Sequence, residues 1–262
     1  MAILSAANVS FSYYTDSPLI LDDVTVSIEK GEAVCLLGPN GVGKTTFLNL
    51  LCGLLKPNKG KVILDDTDIS HLTSKKIAHF IGYVPQKIHL SFDYSVLDYV
   101  LLGRTAHMNL LSLPSDEDKK YAMKALADLD MLSYSHRSVN DLSGGEQQKV
   151  SIARALAQNP QIIIFDEPTS ALDYGNQVKV LKLIQKLIQK NYAVIMTTHN
   201  PDHPLLLDCT TWLLRKNGKI ESASSKEIIN RKTLTELYGT DVIVINIEQA
   251  KRNACFMTLS KD

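Results

Sequence analysis

The sequence predicts an α/β fold in which an antiparallel β subdomain precedes the core and a helical insert interrupts it. β-prone residues alternate in polarity over residues 5–14 and 19–29, on either side of a turn. A short apolar run, 33–37, leads through a glycine-rich loop into a helix-like run. Residues 87–140 instead carry apolar residues at helical spacing between polar turns. Together these patterns indicate a parallel core with two additions.

Further elements follow in order along the chain. The predicted ones are a hairpin at 61–66, a strand at 81–84 that ends at Pro85, a helix capped by Ser115, a helix from 144 to about 158, a strand at 162–165, an amphipathic helix at 176–190, a strand at 193–196, a helix at 233–237 and a strand at 242–245. We expect one domain, divided into a core with its β subdomain (1–86 and 141–224), a helical subdomain (87–140) and a C-terminal extension (225–262).

The loop at residues 38–46 reads GPNGVGKTT and matches the phosphate-binding pattern G-x-x-x-x-G-K-[ST]. Its glycines let backbone N–H groups turn toward a phosphate chain, and the following helix presents its positive end to the same place. Lys44 adds a positive charge, and the Thr45 hydroxyl can ligate Mg²⁺. The expected nucleotide contacts are Gly38, Pro39, Asn40, Gly41, Gly43, Lys44, Thr45 and Thr46.

Charge and hydropathy restrict the classes of partner. Lys+Arg and Asp+Glu both number 28, so the formal net charge is zero and no nucleic-acid partner is expected. No apolar stretch approaches the roughly 18 residues that span a bilayer, and no signal peptide opens the chain. We expect a cytosolic protein that reaches a membrane only through a partner.

The cysteines and histidines do not indicate a metal site. The four cysteines, Cys35, Cys52, Cys209 and Cys255, form no C-x-x-C pair and are interpreted as reduced, small apolar residues. His199 and His203 have helical spacing, but Pro201 and Pro204 are expected to break a helix there, so zinc is not expected.

A carboxylate pair follows the apolar strand at 162–165. Carboxyl ends of parallel strands are where α/β sheets hold ligands. Asp166 is therefore expected to hold Mg²⁺, and Glu167, one residue further on, to polarise an attacking water.

A second phosphate-facing helix end is predicted at Leu142-Ser143-Gly144-Gly145-Glu146. Ser143 caps the helix, and the two glycines allow the backbone to approach a phosphate. One chain does not easily fold both helix ends around one γ-phosphate, so this pattern favours a head-to-tail dimer.

With these motifs, the chain resembles the ATP-binding subunits of ABC transporters, which have a RecA-like P-loop NTPase core, over nearly its whole length. Residues 142–146 match the family signature, Gln86 the Q-loop glutamine, residues 170–173 with Asp173 the D-loop, and His199 the switch histidine. Tyr13 resembles the aromatic residue that stacks on adenine, with Tyr14 as an alternative. Lys149 and Asn200 depart from the commoner Arg and Asp, but neither departure removes a catalytic group.

The resemblance implies a sandwich homodimer with ATP and Mg²⁺ at the interface. Each ATP would lie between one copy's loop and the other copy's Ser143, Gly144 and Gly145. Glu167 would be the general base, His199 would contact the γ-phosphate, and Gln86 would sense Mg²⁺ and the nucleophilic water. The 87–140 insert would dock on polytopic permease subunits at the cytoplasmic face of the membrane.

Residues 92–112, with Val96, Gly103 and Arg104, resemble importers for iron chelates, haem, cobalamin and, most closely, molybdate or tungstate. In that class an extracytoplasmic binding protein delivers the substrate. The main alternative is a soluble ABC-type ATPase of DNA repair or chromosome handling, although no heptad run is present. A translation-linked protein would need a second ATPase cassette, and a non-hydrolysing sensor would be expected to lack Glu167 or His199.

Overall fold

The chain divides into two units in the computed structural model, which describes residues 1–88, 90, 92–109, 112–170 and 172–258. The first unit combines Met1–His71 with Ile184–Asp262, and the second is Leu72–Leu183. The division between them falls inside one long helix. The predicted limits of the helical subdomain, 87–140, lie within the second unit and stay a prediction.

The described residues form the following strands and helices. The strands are β1 (Ala2–Phe11), β2 (Leu21–Glu29), β3 (Ala33–Leu37), β4 (Lys59–Leu64), β5 (Thr67–Asp68), β6 (Ile81–Val84), β7 (Ile162–Phe165), β8 (Ala193–Thr198), β9 (Thr210–Leu214), β10 (Ile220–Ser224), β11 (Val242–Ile247) and β12 (Arg252–Met257). The α-helices are α1 (Lys44–Leu51), α2 (Ser74–Phe80), α3 (Val96–Leu101), α4 (Asp116–Ala127), α5 (Gly144–Ala157), α6 (Tyr174–Gln189), α7 (Asp202–Leu207), α8 (Ser225–Ile228) and α9 (Arg231–Tyr238). Among them, no helix combines the length and apolar character that crossing a membrane requires.

An antiparallel sheet in the order β2-β1-β4-β5 confirms the predicted β subdomain. Burial alternates along β2, as expected of a strand with one face on the core. β1 begins earlier than the pattern predicted and ends at Phe11, where Ile20 N donates to Phe11 O at 2.8 Å and closes the turn. Tyr13 and Tyr14 therefore lie in a loop rather than in the strand.

The core sheet of the first unit positions the phosphate-binding loop. β3 pairs in parallel with β8 on one side and β9 on the other, and β10 pairs with β9 antiparallel. Every residue of β3 and β8 is buried, which accounts for their continuous apolar runs. The predicted loop follows β3, so it leaves the carboxyl end of a central strand.

The second unit packs helices beside a parallel pair of strands, β6 and β7. Ser115 caps α4 through a capping box with Asp118, which confirms the predicted cap. Asp118 also accepts a hydrogen bond from Arg104 Nε at 2.9 Å, and Arg104 donates to Ala157 O at the end of α5. This buried ion pair links α4 to the C-terminal end of α5.

Some elements differ from the sequence prediction. As predicted, no helix carries both His199 and His203, because α7 begins at Asp202, directly after Pro201. Pro204, however, does not break α7, since it lies in the first turn, where a missing N–H leaves no intrahelical bond unmade. The pattern also did not predict α2, α8, β9, β10 and β12, which are short or lack a strict period. No disulfide joins the cysteines in the part of the chain that the structure describes; Cys35, Cys52 and Cys209 are buried, and Cys255 is half-buried.

Candidate functional site

The loop between β3 and α1 has the geometry of a phosphate cradle. Lys44 Nζ is buried against the loop and donates to Gly38 O at 3.0 Å and to Pro39 O at 3.1 Å. Gly43 has φ 111°, and a Cβ there would lie 2.5 Å from Ile20 Cγ2, so only glycine fits. As the N-cap, Gly43 brings no side chain to the start of α1, and the positive end of the helix dipole is left to face a ligand.

Tyr13 lies beside the start of α1. Its hydroxyl is 3.1 Å from Thr46 Oγ1, and its ring packs edge-on against Phe11 with centroids 5.1 Å apart. The side chain is still 54% exposed, which leaves ring surface for a base to stack on. Tyr14 is 78% exposed, and its backbone N–H donates to Ser17 Oγ.

The carboxylate that follows β7 is held by a residue that the sequence pattern did not single out. Asp166 is buried, and Tyr83 Oη donates to its Oδ2 at 3.1 Å. Tyr83 lies on β6, opposite Ile164 in the parallel register. No local signal points to Tyr83, because the pairing of the two strands brings it to Asp166.

A chain of hydrogen bonds joins three of the predicted motifs of the second unit. Gln86 Nε2 donates to Ser170 Oγ at 3.0 Å, and Ser170 Oγ donates to Glu167 O at 3.1 Å. Glu167 has φ 45°, in the left-handed region that residues with a side chain seldom adopt. Ala171 of the predicted D-loop lies outside the described residues. Asp173 directly precedes α6, and its Oδ1 accepts a hydrogen bond from Asn176 N in the first turn at 2.8 Å.

Ser143 caps α5, as predicted. Its hydroxyl donates to Glu146 Oε2 at 2.7 Å, and its backbone N–H donates to the same oxygen at 2.8 Å. These bonds from Ser143 lower the pKa of Glu146. Gly144 is exposed, with no atom within 4 Å of where a Cβ would be, whereas a Cβ on Gly145 would approach the Asn176 side chain to 3.2 Å. The N-terminal end of α5 is therefore open at Gly144 and close to α6 at Gly145.

A cavity of about 200 Å³ in the second unit brings several of these groups together. Its lining includes the Q-loop glutamine, the carboxylate after Asp166 and the start of α5; the residues are Gln86, Lys87, Ile88, Gly144, Gln147, Gln148, Glu167, Pro168 and Leu172. The buried Nε2 of Gln148 has no hydrogen-bond partner among the described residues. Predicted motifs distant in sequence thus face one space.

The two histidines near the end of β8 have different environments. The His199 side chain is exposed, and its backbone carbonyl accepts a hydrogen bond from Tyr238 Oη at 2.7 Å. His203 is buried, with Nδ1 2.8 Å from Thr198 Oγ1. Burial, and to a lesser extent His199, lowers the pKa of His203 to about 4, so its ring is neutral at pH 7. His203 is a packed structural residue, whereas His199 presents its side chain at the surface, where a ligand can reach it.

Known proteins resemble this chain at the level of family, of curated relatives and of solved structures. The family model described as "ABC transporter" matches residues 21–170. The molybdate import ATP-binding protein MolC of Haemophilus influenzae is 37% identical over 256 residues, covering 97% of this chain and 94% of that protein.

Solved structures extend the similarity to the whole fold. One, named a metal-chelate type ABC transporter in an inward-facing conformation, has a TM-score of 0.87 and 34% identity, and covers 100% of this chain and 99% of that chain. A dimeric ATP-binding cassette bound to ADP and Pi has a TM-score of 0.72 and 30% identity, and covers 85% of this chain and 98% of that chain. These proteins are transporters or transporter-type cassettes, so the alternative of a DNA-repair ATPase is not supported.

Proposed function

The chain belongs to the ABC transporter family as an ATP-binding, ATP-hydrolysing subunit, and from this premise we propose that two copies close head to tail on ATP and drive an importer. The observation that supports the proposal is that two helices, α1 and α5, each have a glycine at the N-terminal end. α1 begins at Gly43 beside Lys44, and α5 begins after Ser143 with Gly144 exposed. Both present a positive dipole end to a phosphate. In a head-to-tail pair, each loop would meet the other copy's Ser143, Gly144 and Gly145.

The residues of the loop fit a nucleoside triphosphate. In the structure the Lys44 ammonium donates to the backbone carbonyls of Gly38 and Pro39, which are weaker acceptors than a charged phosphate oxygen. Tyr13 would stack on the adenine from its place beside Thr46. Asp173, at the start of α6, would approach the nucleotide of the opposite copy from the D-loop.

The groups proposed for hydrolysis follow the carboxyl ends of β6, β7 and β8, except Thr45, which lies in α1. Thr45, Gln86 and Asp166 would hold Mg²⁺, whose charge offsets that of the phosphate oxygens when bound. Glu167 would accept the proton of the attacking water, and His199 would donate a hydrogen bond to the γ-phosphate. Gln86 is oriented by its hydrogen bond to the Ser170 hydroxyl, which also donates to the backbone carbonyl of Glu167. A movement of the Gln86 amide, proposed to sense Mg²⁺, would therefore affect the position of Glu167, the proposed general base.

A groove in the second unit supplies a surface for the permease. It has a volume of about 300 Å³, and its lining includes Pro85 and Lys87, the two neighbours of Gln86 in the sequence. It is lined by Pro85, Lys87, Ile88, Leu90, Phe92, Tyr94, Tyr99, Leu102 and Arg154. Phe92 is 71% exposed and shares the lining with Leu90, Tyr94 and Leu102, so apolar side chains form a surface that a partner can cover. A permease segment seated here would contact the residues that adjoin Gln86, so its position would respond to the nucleotide.

The transported solute is proposed to be a metal chelate or an oxyanion such as molybdate. The names of MolC and of the metal-chelate type transporter support this class. An extracytoplasmic binding protein would deliver the solute to the permease, and this subunit would act at the cytoplasmic face of the membrane. The solute would not contact this chain.

Dimer closure is tested with Glu167→Gln. Loss of a general base is worth about 10²–10⁴-fold, so we expect ATP turnover to fall by about 100-fold or more and a dimer to persist with ATP in light scattering. Adding Ser143→Arg should prevent this dimer while ATP still binds at the Lys44 loop. Wild-type turnover in Glu167→Gln would contradict the general base, and a dimer in the double variant would contradict the sandwich.

The transporter role is tested by purifying tagged Glu167→Gln with ATP from solubilised native membranes. A polytopic membrane protein should co-purify, and Phe92→Asp should abolish its capture without changing ATP binding. Leu113→Asp is the matched control, because Leu113 is 89% exposed and lies outside the groove. Equal capture by both aspartate variants would argue against the groove as the docking surface.

A further inference from the structure

The C-terminal extension packs on the strand that leads into the phosphate-binding loop. Leu37, the last residue of β3, belongs to an apolar cluster shared with α8, α9 and β11. The other members are Leu205, Leu213, Ile228, Ile229, Leu234, Leu237 and Val242, and Tyr238 packs at the edge. The extension is therefore part of the core of the first unit, and its position relative to β3 is set by apolar contacts.

Tyr238 reaches from this cluster to the loop after β8. The residue is half-buried, and its hydroxyl donates to the backbone carbonyl of His199 at 2.7 Å, a short hydrogen bond. α9 ends at Tyr238 with Gly239 as its C-cap in the left-handed conformation, so the ring is held at a helix end. His199 is exposed, but its backbone carbonyl is fixed by the hydrogen bond from Tyr238.

A second connection runs from the terminal hairpin to the same segment. Asp202 Oδ1 accepts from Cys255 N at 3.1 Å and lies 3.5 Å from Arg252 NH1. Asp202 N in turn donates to Asn200 Oδ1 at 2.9 Å, and Asn200 N donates to Thr198 Oγ1 at 3.0 Å. Hydrogen bonds from the extension thus reach both ends of the short stretch between His199 and α7.

We propose that Tyr238 is a positioning residue for ATP hydrolysis, which fixes the backbone of His199 so that its imidazole meets the γ-phosphate. The inference rests on the role proposed for His199. With the carbonyl of His199 bonded, fewer backbone conformations compete with the productive one. Without the hydroxyl, the backbone of His199 would lose this hydrogen bond, and the step that needs its imidazole would slow while nucleotide binding at the Lys44 loop would not.

The test compares Tyr238→Phe, which removes one oxygen atom, with wild type in the full-length chain. A hydrogen bond contributes about 1 kcal/mol, so kcat should fall by roughly fivefold with the Kd for ATP unchanged. Backbone hydrogen exchange should accelerate at the amides of Asn200, Asp202 and His203, whereas the amides that pair β11 with β12 should keep their protection. Exchange gives a readout that does not depend on activity.

Two further variants separate the possible failures. His199→Ala keeps the backbone carbonyl, so it should lower kcat without accelerating exchange, and adding Tyr238→Phe should lower kcat no further. Arg231→Met removes the exposed ion pair with Asp241 inside the extension and should leave kcat unchanged. Unchanged kcat in His199→Ala would refute the proposed role of His199 itself.

Unchanged exchange and kcat in Tyr238→Phe would overturn only the positioning role. Loss of protection throughout β11 and β12 in that variant would also overturn it, because Tyr238 would then act only in the folding of the extension.

Discussion

The side-chain amide of Gln86 donates a hydrogen bond to the hydroxyl of Ser170 at 3.0 Å and so joins the loop after β6 to the loop after β7. The amide nitrogen of Gln86 is engaged with Ser170, and the amide oxygen is the atom that we propose to contact Mg²⁺. The Ser170 hydroxyl in turn donates a hydrogen bond to the backbone carbonyl of Glu167. The residue proposed to sense Mg²⁺ and the residue proposed to activate water are therefore linked by two successive hydrogen bonds.

Removing the hydroxyl of Ser170 should weaken the response to Mg²⁺. In Ser170→Ala the amide of Gln86 loses its orienting acceptor, a loss of about 1 kcal/mol. We expect the Mg²⁺ concentration for half-maximal ATPase activity to rise about fivefold, with ATP binding in EDTA unchanged. Ser170→Thr retains the hydroxyl and is the control. An unchanged Mg²⁺ dependence in Ser170→Ala would show that Gln86 is oriented by other contacts.

Replacing Lys44 should abolish tight nucleotide binding without unfolding the chain. Charge-assisted hydrogen bonds contribute roughly 1.5–3 kcal/mol, so Lys44→Ala should weaken ATP binding by about 10- to 150-fold in calorimetry without Mg²⁺. Lys56→Ala removes an exposed lysine outside the loop and should bind ATP as wild type does. Equal affinities for ATP in the two variants would show that this loop does not bind the phosphates.

The low pKa of Asp118 should make the free energy of unfolding decrease at acidic pH. The Ser115 hydroxyl, followed by the Arg104 guanidinium, lowers the pKa of this buried carboxyl to about 2, below its ordinary value. The folded state then favours the carboxylate, so the stabilisation is present above about pH 4 and is lost as pH falls toward about 2. Lowering a pKa by one corresponds to about 1.4 kcal/mol, which gives roughly 2 kcal/mol in total.

Urea unfolding of Asp118→Asn between about pH 3 and 7 measures this contribution. The variant should be less stable than wild type at about pH 7, and the difference should shrink below about pH 4. Asp116→Asn is the control in the same helix, because the Asp116 side chain is 94% exposed. A difference that is constant with pH would show that Asp118 acts through packing alone.

His203 should make the free energy of unfolding depend on pH in a second, higher range of pH. Its pKa of about 4 lies below the ordinary value because burial, and then His199, disfavours the imidazolium. Between about pH 4 and 6.5 the unfolded chain binds this proton and the folded chain does not, so stability falls as pH falls through that window. His203→Asn should flatten the unfolding free energy there, by up to about 3 kcal/mol. The exposed His136, changed to Asn, should leave the slope intact.

The patterns that predicted this protein well are the local ones. The phosphate-binding loop, the capping serines Ser115 and Ser143 and the apolar strand before Asp166 depend on residues a few positions apart. Their conformations follow from glycine torsions, short-range side-chain-to-backbone bonds and burial of consecutive apolar residues. The prediction was weaker for short elements such as α2, α8 and β12, since a few residues carry too little periodicity to distinguish helix from strand.

By itself, the sequence determined which groups we propose for nucleotide chemistry: Lys44, Asp166, Glu167 and their neighbours within each motif. Only the tertiary structure decided which distant residues hold them, as Tyr83 holds Asp166 and Tyr238 holds the backbone of His199. These partners are separated from their targets along the chain by whole strands and helices. Their meeting is set by strand register and by burial of apolar surface, which are properties of the folded chain that no short segment encodes.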